Sequence, residues 1–536
     1  PLFTDVTAEA GIEFLHVTGR RGRYFFPDVM APGGAMLDFD LDGDLDILLI
    51  NSGSPKAAAD DHGSNRLYRQ EPGGRFADVT EGSGLEGGDY GMGVAVGDVN
   101  NDGRPDVYVT NYGPDRLYLN QADGTFLDIT EAAGIDNPQW GASACFVDYD
   151  RDGRLDLMVT NYVDYYPSRQ CVDGRGREDF CGPQVFFGTA DKLYRNESGS
   201  GTTVRFTDVS LSSGIAHQRG PGLSVTAADF NGDRWPDIYV ANDGAANFLW
   251  INQHDGTFRD EAVLQGVAND ALGRAQAGMG IAVGDVNGDA AFDLFVTHLA
   301  GETNTLYLSD AAGFRDAGPS AGLAGPSFPY TGFGTALADL DHDGDLDALV
   351  VNGRVKRPAS ASAGDEADTN FWRSYAEPNQ ISLNDGDGRF EEFSSSADPF
   401  TSAVDASRGL AAGDIDNDGD LDVLVTNGGG PARLYRNDAP KAGHWLQVRA
   451  VEPAFGGRHA YGAVVIVTAS ERQWRRVVNP GASYLSSHDP RVHFGLGTVE
   501  TLDRIDVLWP DGSTETFPGG PVDRHRVLPH GEGRTP

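Results

Sequence analysis

Seven times along the chain an aspartate opens a nine-residue segment with oxygen side chains at positions 1, 3, 5 and 9, and an apolar run follows directly. The fullest copy is Asp38-Phe-Asp40-Leu-Asp42-Gly-Asp44-Leu-Asp46, ahead of the apolar residues 47–50. Carboxylates this crowded repel one another, so the arrangement is favourable only with a hard cation among them. Alternate positions of a tight loop point inward and Gly permits the sharp turn. An all-oxygen ligand set of this size suits Ca²⁺ better than Mg²⁺. The side-chain ligands are then Asp38, Asp40, Asp42 and Asp46; Asp98, Asn100, Asp102 and Asp106; Asp148, Asp150, Asp152 and Asp156; Asp229, Asn231, Asp233 and Asp237; Asp285, Asn287, Asp289 and Asp293; Asp339, Asp341, Asp343 and Asp347; and Asp414, Asp416, Asp418 and Asp422. Position 7 is expected to add its backbone carbonyl, from Asp44, Arg104, Arg154, Trp235, Ala291, Asp345 and Asp420. One such match reads equally well as an Asx-rich turn bonding its own backbone. Seven in register, each running into a strand, do not. Up to seven Ca²⁺ are expected; the fourth and fifth copies lack Gly at position 6, which leaves their occupancy open.

Each unit carries four strand signals. Strand A is small and apolar and runs into the loop (Gly91-Met-Gly-Val-Ala-Val-Gly97), and strand B leaves it (Asp106-Val-Tyr-Val-Thr-Asn111). Strand C carries Leu-Tyr-x-Asn, loosened to Leu67-Tyr-Arg-Gln70 and Leu306-Tyr-Leu-Ser309. Strand D is Phe-x-Asp-(Val/Ile)-Thr after a Gly turn. Alternation with Gly/Asn/Asp turns makes these antiparallel, and four-stranded units at this period make an all-β, seven-bladed propeller. No strand D follows the seventh loop. The missing copy is Phe3-Thr-Asp-Val-Thr7, so the N-terminal strand is expected to complete the last blade and close the ring. Strand A falls innermost, where Gly91, Gly93, Gly278, Gly280, Gly332 and Gly334 fit the tight taper.

This topology puts all the acidic loops on one face and the B–C and D–A connections on the other. Three long insertions, at 52–64, 162–192 and 353–378, fall in B–C connections, and the last contains a Pro358-Ala-Ser-Ala-Ser-Ala-Gly-Asp-Glu run that reads as mobile. Long loops gathered on one face of a rigid scaffold are where a ligand is expected, with neutral elaboration as the alternative. Strand B ends in a column of Asn51, Asn111, Asn161, Asn242, His298, Asn352 and Asn427. The Asn side chains read as satisfying turn backbone; His298 breaks the column and is the residue to test. Tyr112, Tyr162 and Asp243, with His298, are candidate binding residues, and His298, Asp243 and Asp164 candidate catalytic ones.

Past Asn437 the pattern changes. Residues 1–440 read as the propeller and 441–536 as a small all-β domain beside the acidic-loop face, opened by His444-Trp-Leu-Gln-Val-Arg-Ala-Val451. Its His488, Asp489 and His493 read as polar strand-edge residues rather than a metal or base cluster.

The formal charge of −39 argues against nucleic acid or an anionic membrane as partner, and part of the excess belongs to the loops. No apolar run spans a bilayer. Cys171 and Cys181, close together in a Gly-rich loop, are expected to pair and Cys145 to be a buried thiol; three free thiols is the alternative. The chain opens at Pro1 with neither an initiator Met nor a signal peptide, as a mature or trimmed chain does. Disulfides and calcium at extracellular levels both point to a secreted, extracellular or periplasmic location.

The nine-residue loops resemble the FG-GAP/VCBS repeats of integrin-type propellers. Gly462-Ala-Val, Asn479-Pro-Gly-Ala-Ser-Tyr484, His493-Phe-Gly-Leu-Gly497 and Val507-Leu-Trp-Pro-Asp-Gly512 resemble the ASPIC/UnbV domain. Together they are similar to the cartilage acidic protein family. The resemblance implies a seven-bladed calcium propeller with a β cap, usually exported, whose metal ligands are the seven sets above.

Function does not follow from such a fold. The leading expectation is a calcium-stabilised recognition protein that takes a protein, peptide, glycan or small molecule on its loop-rich face. A second is an enzyme (a lyase, cyclase or hydrolase) with its pocket at the channel mouth opposite the acidic loops. No Gly-x-Ser-x-Gly elbow, His-Glu-x-x-His helix or phosphate-cradling loop supports the second. A third, cell-surface adhesion in the integrin manner, has only the repeat behind it.

Overall fold

The computed structural model describes residues 1–18, 24–53, 63–199, 203–358 and 371–535. The Ser/Ala run after Pro358 and most of the 52–64 insertion lie outside the described residues.

Seven four-stranded antiparallel sheets follow one another, each ordered A-B-C-D from the axis outward. Blade 1 is Gly34–Leu37, Asp46–Leu49, Arg66–Glu71 and Arg75–Asp78, and blade 2 is Gly91–Gly97, Asp106–Asn111, Arg116–Asn120 and Phe126–Asp128. Blades 3 to 6 begin at Gly141–Val147, Gly222–Ala228, Ile281–Gly284 and Gly332–Ala338. Blade 7 joins Ser407–Gly413, Asp422–Asn427 and Arg433–Asn437 to the N-terminal strand Phe3–Asp5, in register Phe3 to Asn437. Phe3 is fully buried, 5.4 Å from the Phe400 ring, and Asp398 Oδ2 accepts the Leu2 and Phe3 amides at 2.6 and 3.1 Å. The A strands pack in ring order and the seventh meets the first, so the ring is closed.

The C-terminal residues form two further sheets. In one, His444–Glu452 lies between Val492–Gly497 and Arg524–Pro529, with Arg458–His459 at its end. The other pairs Arg472–Val477, Val464–Ala469, Thr501–Leu508 and Thr514–Pro521. The apolar faces of both sheets enter a core shared with blades 2 and 3 through Leu446, Val448, Phe494, Leu155 and Phe146. This cap sits on the acidic-loop face and meets it with cations. Arg458 donates to Asn101 Oδ1 at 2.7 Å, Arg472 pairs with Asp345 at 2.6 Å, and Arg491 reaches the Asp414 carbonyl at 2.8 Å. Part of the acidic surface is therefore covered rather than solvated.

Between the cap sheets, residues 479–489 leave the cap and enter the propeller's central channel, where they bond to all seven inner strands. Asn479 Nδ2 donates to Thr226 Oγ1 at 2.7 Å, Ser483 and Ile281 exchange backbone bonds at 2.6 and 3.1 Å, and the Thr335 amide donates to Ser483 Oγ at 3.1 Å. The Leu485 amide donates to Ser143 Oγ and its carbonyl accepts from Val94, both at 3.0 Å. The segment then returns along Gly34, which accepts the Ser487 amide at 3.1 Å, and Ala412, whose amide donates to His488 Nδ1 at 2.9 Å. At the tip Ser483 and Leu485 adopt φ of 66° and 55°, flanking Tyr484. The inner glycines make room for this segment as well as for the taper. A Cβ on Gly33 would lie 1.8 Å from the Leu485 carbonyl oxygen. Asp489 and His493 are buried and His488 is half-buried against Ala412, which corrects their reading as strand-edge polar residues.

Candidate metal centres and the loop face

All seven acidic loops share one hydrogen-bond frame. The position 1 carboxylate accepts the position 6 amide, as Gly43 to Asp38 at 3.2 Å and Ala290 to Asp285 at 2.9 Å. The position 5 carboxylate accepts the position 7 amide, as Asp44 to Asp42 at 2.9 Å. Positions 4 and 6 both take positive φ. Five loops pair a non-Gly residue with Gly, for example Leu41 at 62° and Gly43 at 98°. The fourth and fifth reverse the order, with Gly232 and Gly288 at position 4 and Arg234 and Ala290 at 74° and 68°. The displaced glycine leaves the loop conformation unchanged, because it only exchanges which of two left-handed positions is strain-free.

The position 9 aspartates are buried and join the loop to two strands. Asp46 accepts the Phe39 amide at 3.1 Å and the Gln70 amide at 2.8 Å, tying the loop and strand C to the start of strand B. The same pair of bonds recurs at Asp106, Asp156, Asp237, Asp293, Asp347 and Asp422. Position 9 thus has a structural duty that ligand spacing alone does not reveal.

Four loops bring three carboxylates together with oxygens within 4.8 Å of one another: Asp38, Asp40 and Asp42; Asp148, Asp150 and Asp156; Asp339, Asp341 and Asp343; Asp414, Asp416 and Asp422. In the other three, position 3 is Asn, which supplies a neutral oxygen instead. Each of the four groups contains one buried carboxylate oxygen without a hydrogen-bond partner: Asp38 Oδ1, Asp150 Oδ1, Asp339 Oδ1 and Asp414 Oδ1. Burial, with neighbouring carboxylates adding to it, lifts Asp38 to about 6 and Asp339 to about 7. Buried anionic oxygens with no donor, beside other anions, are what a hard cation satisfies. The donor set fits such an ion.

On the opposite face the channel mouth is filled. Tyr484, donating to the Met30 carbonyl at 2.8 Å, packs into an aromatic cluster with Phe26, Trp140, Tyr162 and Phe333. The pocket expected at this mouth for an enzyme is occupied by these side chains. Tyr162 is fully buried, stands 4.9 Å from the Trp140 ring and donates to Asp243 Oδ2 at 2.5 Å. Burial raises Asp243 to about 6. Half-buried Tyr112 meets the same Trp140 ring at 5.5 Å. These three candidates are brought together, as packing rather than around an opening. His298 is 1% exposed, with Nδ1 on the Ala277 carbonyl at 3.2 Å and Nε2 on Thr305 Oγ1 at 3.1 Å; burial lowers it to about 4. Solvent does not reach it, so it is not poised as a general base. The rest of its column bonds turn carbonyls, as Asn111 to Pro114 at 2.9 Å and Asn427 to Pro431 at 2.7 Å. Asp164 lies apart and exposed, accepting the Phe187 amide at 2.7 Å.

One feature of this face escaped the sequence reading, and one expectation is met. Arg408, wholly buried in blade 7, donates to the carbonyls of Val29, Gly353, Ser407 and Arg354 and lies 4.1 Å over the Phe333 ring. Its only sequence signal is a cation in a strand of small residues. In the 162–192 insertion, Cys171 and Cys181 form a disulfide and the hairpin strands Cys171–Val172 and Glu178–Asp179 pair, while Cys145 stays a buried thiol. Beside this pinned hairpin Phe187 is 78% exposed, Val172 65% and Tyr166 49%.

Comparison with known proteins agrees with this architecture. The profile of FG-GAP-like repeats matches residues 38–109, 98–159, 229–296, 285–350 and 364–425, more than half of the chain and all seven loops. The ASPIC and UnbV profile matches residues 456–535. Cartilage acidic protein 1 of Homo sapiens is 30% identical over 315 residues, covering 57% of this chain and 43% of its own length. That of Xenopus tropicalis is 28% identical over 403 residues, 64% of this chain and 61% of its own length. The chain therefore spans less than two thirds of the curated relatives it matches. A lectin from Burkholderia pseudomallei superimposes with a TM-score of 0.43 at 11% identity, over 77% of this chain and 97% of the lectin, a likeness too loose to bear on function. With seven acidic loops in a closed ring and an ASPIC and UnbV segment after them, the chain belongs to the family of FG-GAP-like repeat proteins.

Proposed function

We propose that this is an exported recognition protein whose propeller (residues 1–440) is held rigid by up to seven Ca²⁺ and capped by residues 441–536, and whose loop-rich face takes a protein, peptide or glycan. The observation that carries it is the disulfide-pinned 162–192 insertion, which holds Phe187, Val172 and Tyr166 out in solvent on a rigid base. Asp164 fixes Phe187 through its amide. Exposed apolar side chains gathered on one constrained segment mark an interaction surface. When bound, Ca²⁺ supplies charge neutralisation; the loop carboxylates hold it and the position 9 aspartates pass its rigidity to strands B and C. The disulfide and the calcium requirement both suit an oxidising compartment outside the cytosol.

The test is binding to arrayed glycans and peptides by the whole chain, compared with Phe187→Ala and Tyr166→Ala. Hits that weaken by tenfold or more in both variants, with melting unchanged, support the reading. Hits that neither variant alters would place recognition elsewhere.

A further inference from the structure

We propose that the seam between the cap and the first two acidic loops is a binding site for a small amphipathic monocarboxylate. A cavity of about 300 Å³ lies there, roofed by the cap and floored by the loops. At the ~30 Å³ that a water molecule occupies in the liquid, it has room for about ten non-hydrogen atoms.

The roof is the outer face of a sheet whose inner face is core. Along His444–Glu452, Leu446, Val448 and Ala450 enter the cap interior, so Gln447 and Arg449 alternate to the other side and line the cavity. The parallel neighbour sets His525 beside Gln447 and Val527 beside Arg449. His525 Nε2 donates to the Asn417 carbonyl at 3.2 Å, and its Nδ1 stands 2.7 Å from the Gln447 side-chain amide. Gln447 is 1% exposed, its side-chain amide held against that ring. Arg449 is half-buried, forms no ion pair or side-chain hydrogen bond among the described residues, and has a buried Nε without a partner.

Of the other guanidiniums at the cavity, Arg458 pairs with Glu452 at 2.9 Å, Arg491 with Asp489 at 2.7 Å, and Arg526 donates to the Pro518 and Gly519 carbonyls at 2.8 and 3.1 Å. Arg449 thus offers a buried donor that nothing among the described residues satisfies. One carboxylate completes it, and does so more strongly than a neutral acceptor. The rest of the wall is Leu37, Leu45, Val96, Leu155 and Tyr461, which suits an alkyl or aryl tail.

The experiment is calorimetric titration of the full chain, in calcium-containing buffer, with hexanoate and with hexanol as its neutral counterpart. The expected result is one saturable hexanoate site with hexanol at least about tenfold weaker, the discrimination of one charge-assisted contact. Arg449→Met is expected to weaken hexanoate at least about tenfold while leaving hexanol unchanged. Val527→Trp, at an exposed position on the rim, is expected to block both ligands with the melting temperature preserved. Absence of saturable hexanoate binding at about 5 mM, or equal affinity in wild type and Arg449→Met, overturns the proposal. Since neither variant touches the loop face, this result is independent of the recognition reading above.

Discussion

Asn120 Nδ2 donates to the Phe39 carbonyl at 2.8 Å, and this bond crosses the seam between the second blade and the first. The same amide also takes the Pro105 carbonyl of its own blade at 3.1 Å. The asparagine ending strand C therefore staples neighbours together, and it recurs as Asn196 to Val99, Asn252 to Tyr149, Asn384 to Val286 and Asn437 to Leu340. Gln70 closes the ring by reaching Ile415 of blade 7 at 2.9 Å. Blade 5 has Ser309 here and, among the described residues, no such staple. Asn120→Ala is expected to lower the unfolding free energy by about 1–3 kcal/mol, the cost of orphaning buried acceptors. Ser309→Ala should stay within about 0.5 kcal/mol. Urea unfolding of the two variants checks this, and equal costs would mean that the seam bond contributes nothing particular.

The central segment makes a sharper demand. Gly33→Ala forces its Cβ against the Leu485 carbonyl, where backbone must move, and overpacking of this kind costs about 1–3 kcal/mol or more. The expected sign is local before it is global: faster proteolysis within residues 479–489 in Gly33→Ala than in wild type. A variant whose 479–489 segment stays as resistant as wild type would show that the channel tolerates a side chain there.

Metal removal is expected to be destabilising. A ligand bound only to the native state contributes about 2.7 kcal/mol per site at a hundredfold excess over its dissociation constant. Excess chelator should therefore lower the melting temperature markedly. Asp339→Asn, which removes a charge from a three-carboxylate group, should reduce the number of Ca²⁺ bound by calorimetry. Melting curves that superimpose with and without chelator would remove the structural role assigned to the ions.

Acid sensitivity has an assigned contributor in His298. Burial lowers it from 6.5 to about 4, so between these values the unfolded chain takes up a proton that the folded chain refuses. Its contribution is complete above pH 6.5 and is lost as pH falls toward 4, by an amount on the order of 3 kcal/mol. His298→Asn restores the column and removes this loss. In calcium-containing buffer, wild type should lose more stability between pH 7.5 and 5 than the variant. Parallel losses would assign the acid sensitivity to other groups, such as His16 and His488, which burial also lowers.

The sequence makes blade number, strand order and N-terminal closure legible because each rests on local pattern: period-two alternation, a turn residue at a fixed offset, and a Phe-x-Asp-Val-Thr copy displaced to the front. The loosened motifs at Gln70 and Ser309 were visible too, although their meaning required the neighbouring blade. The candidate site was only half legible. Tyr112, Tyr162 and Asp243 do converge, through one Trp140 ring and one hydrogen bond, yet they pack against Tyr484 from the far end of the chain.

What the sequence determines alone is the wheel and its rim of like charges, since both follow from residues within a few positions of one another. The tertiary structure decides what fills the wheel. Residues 479–489 have no strand period and no charge pattern, and only their contacts with seven inner strands give them a conformation. Such contacts span hundreds of residues, and small side chains at both ends carry no mark of a partner that distant.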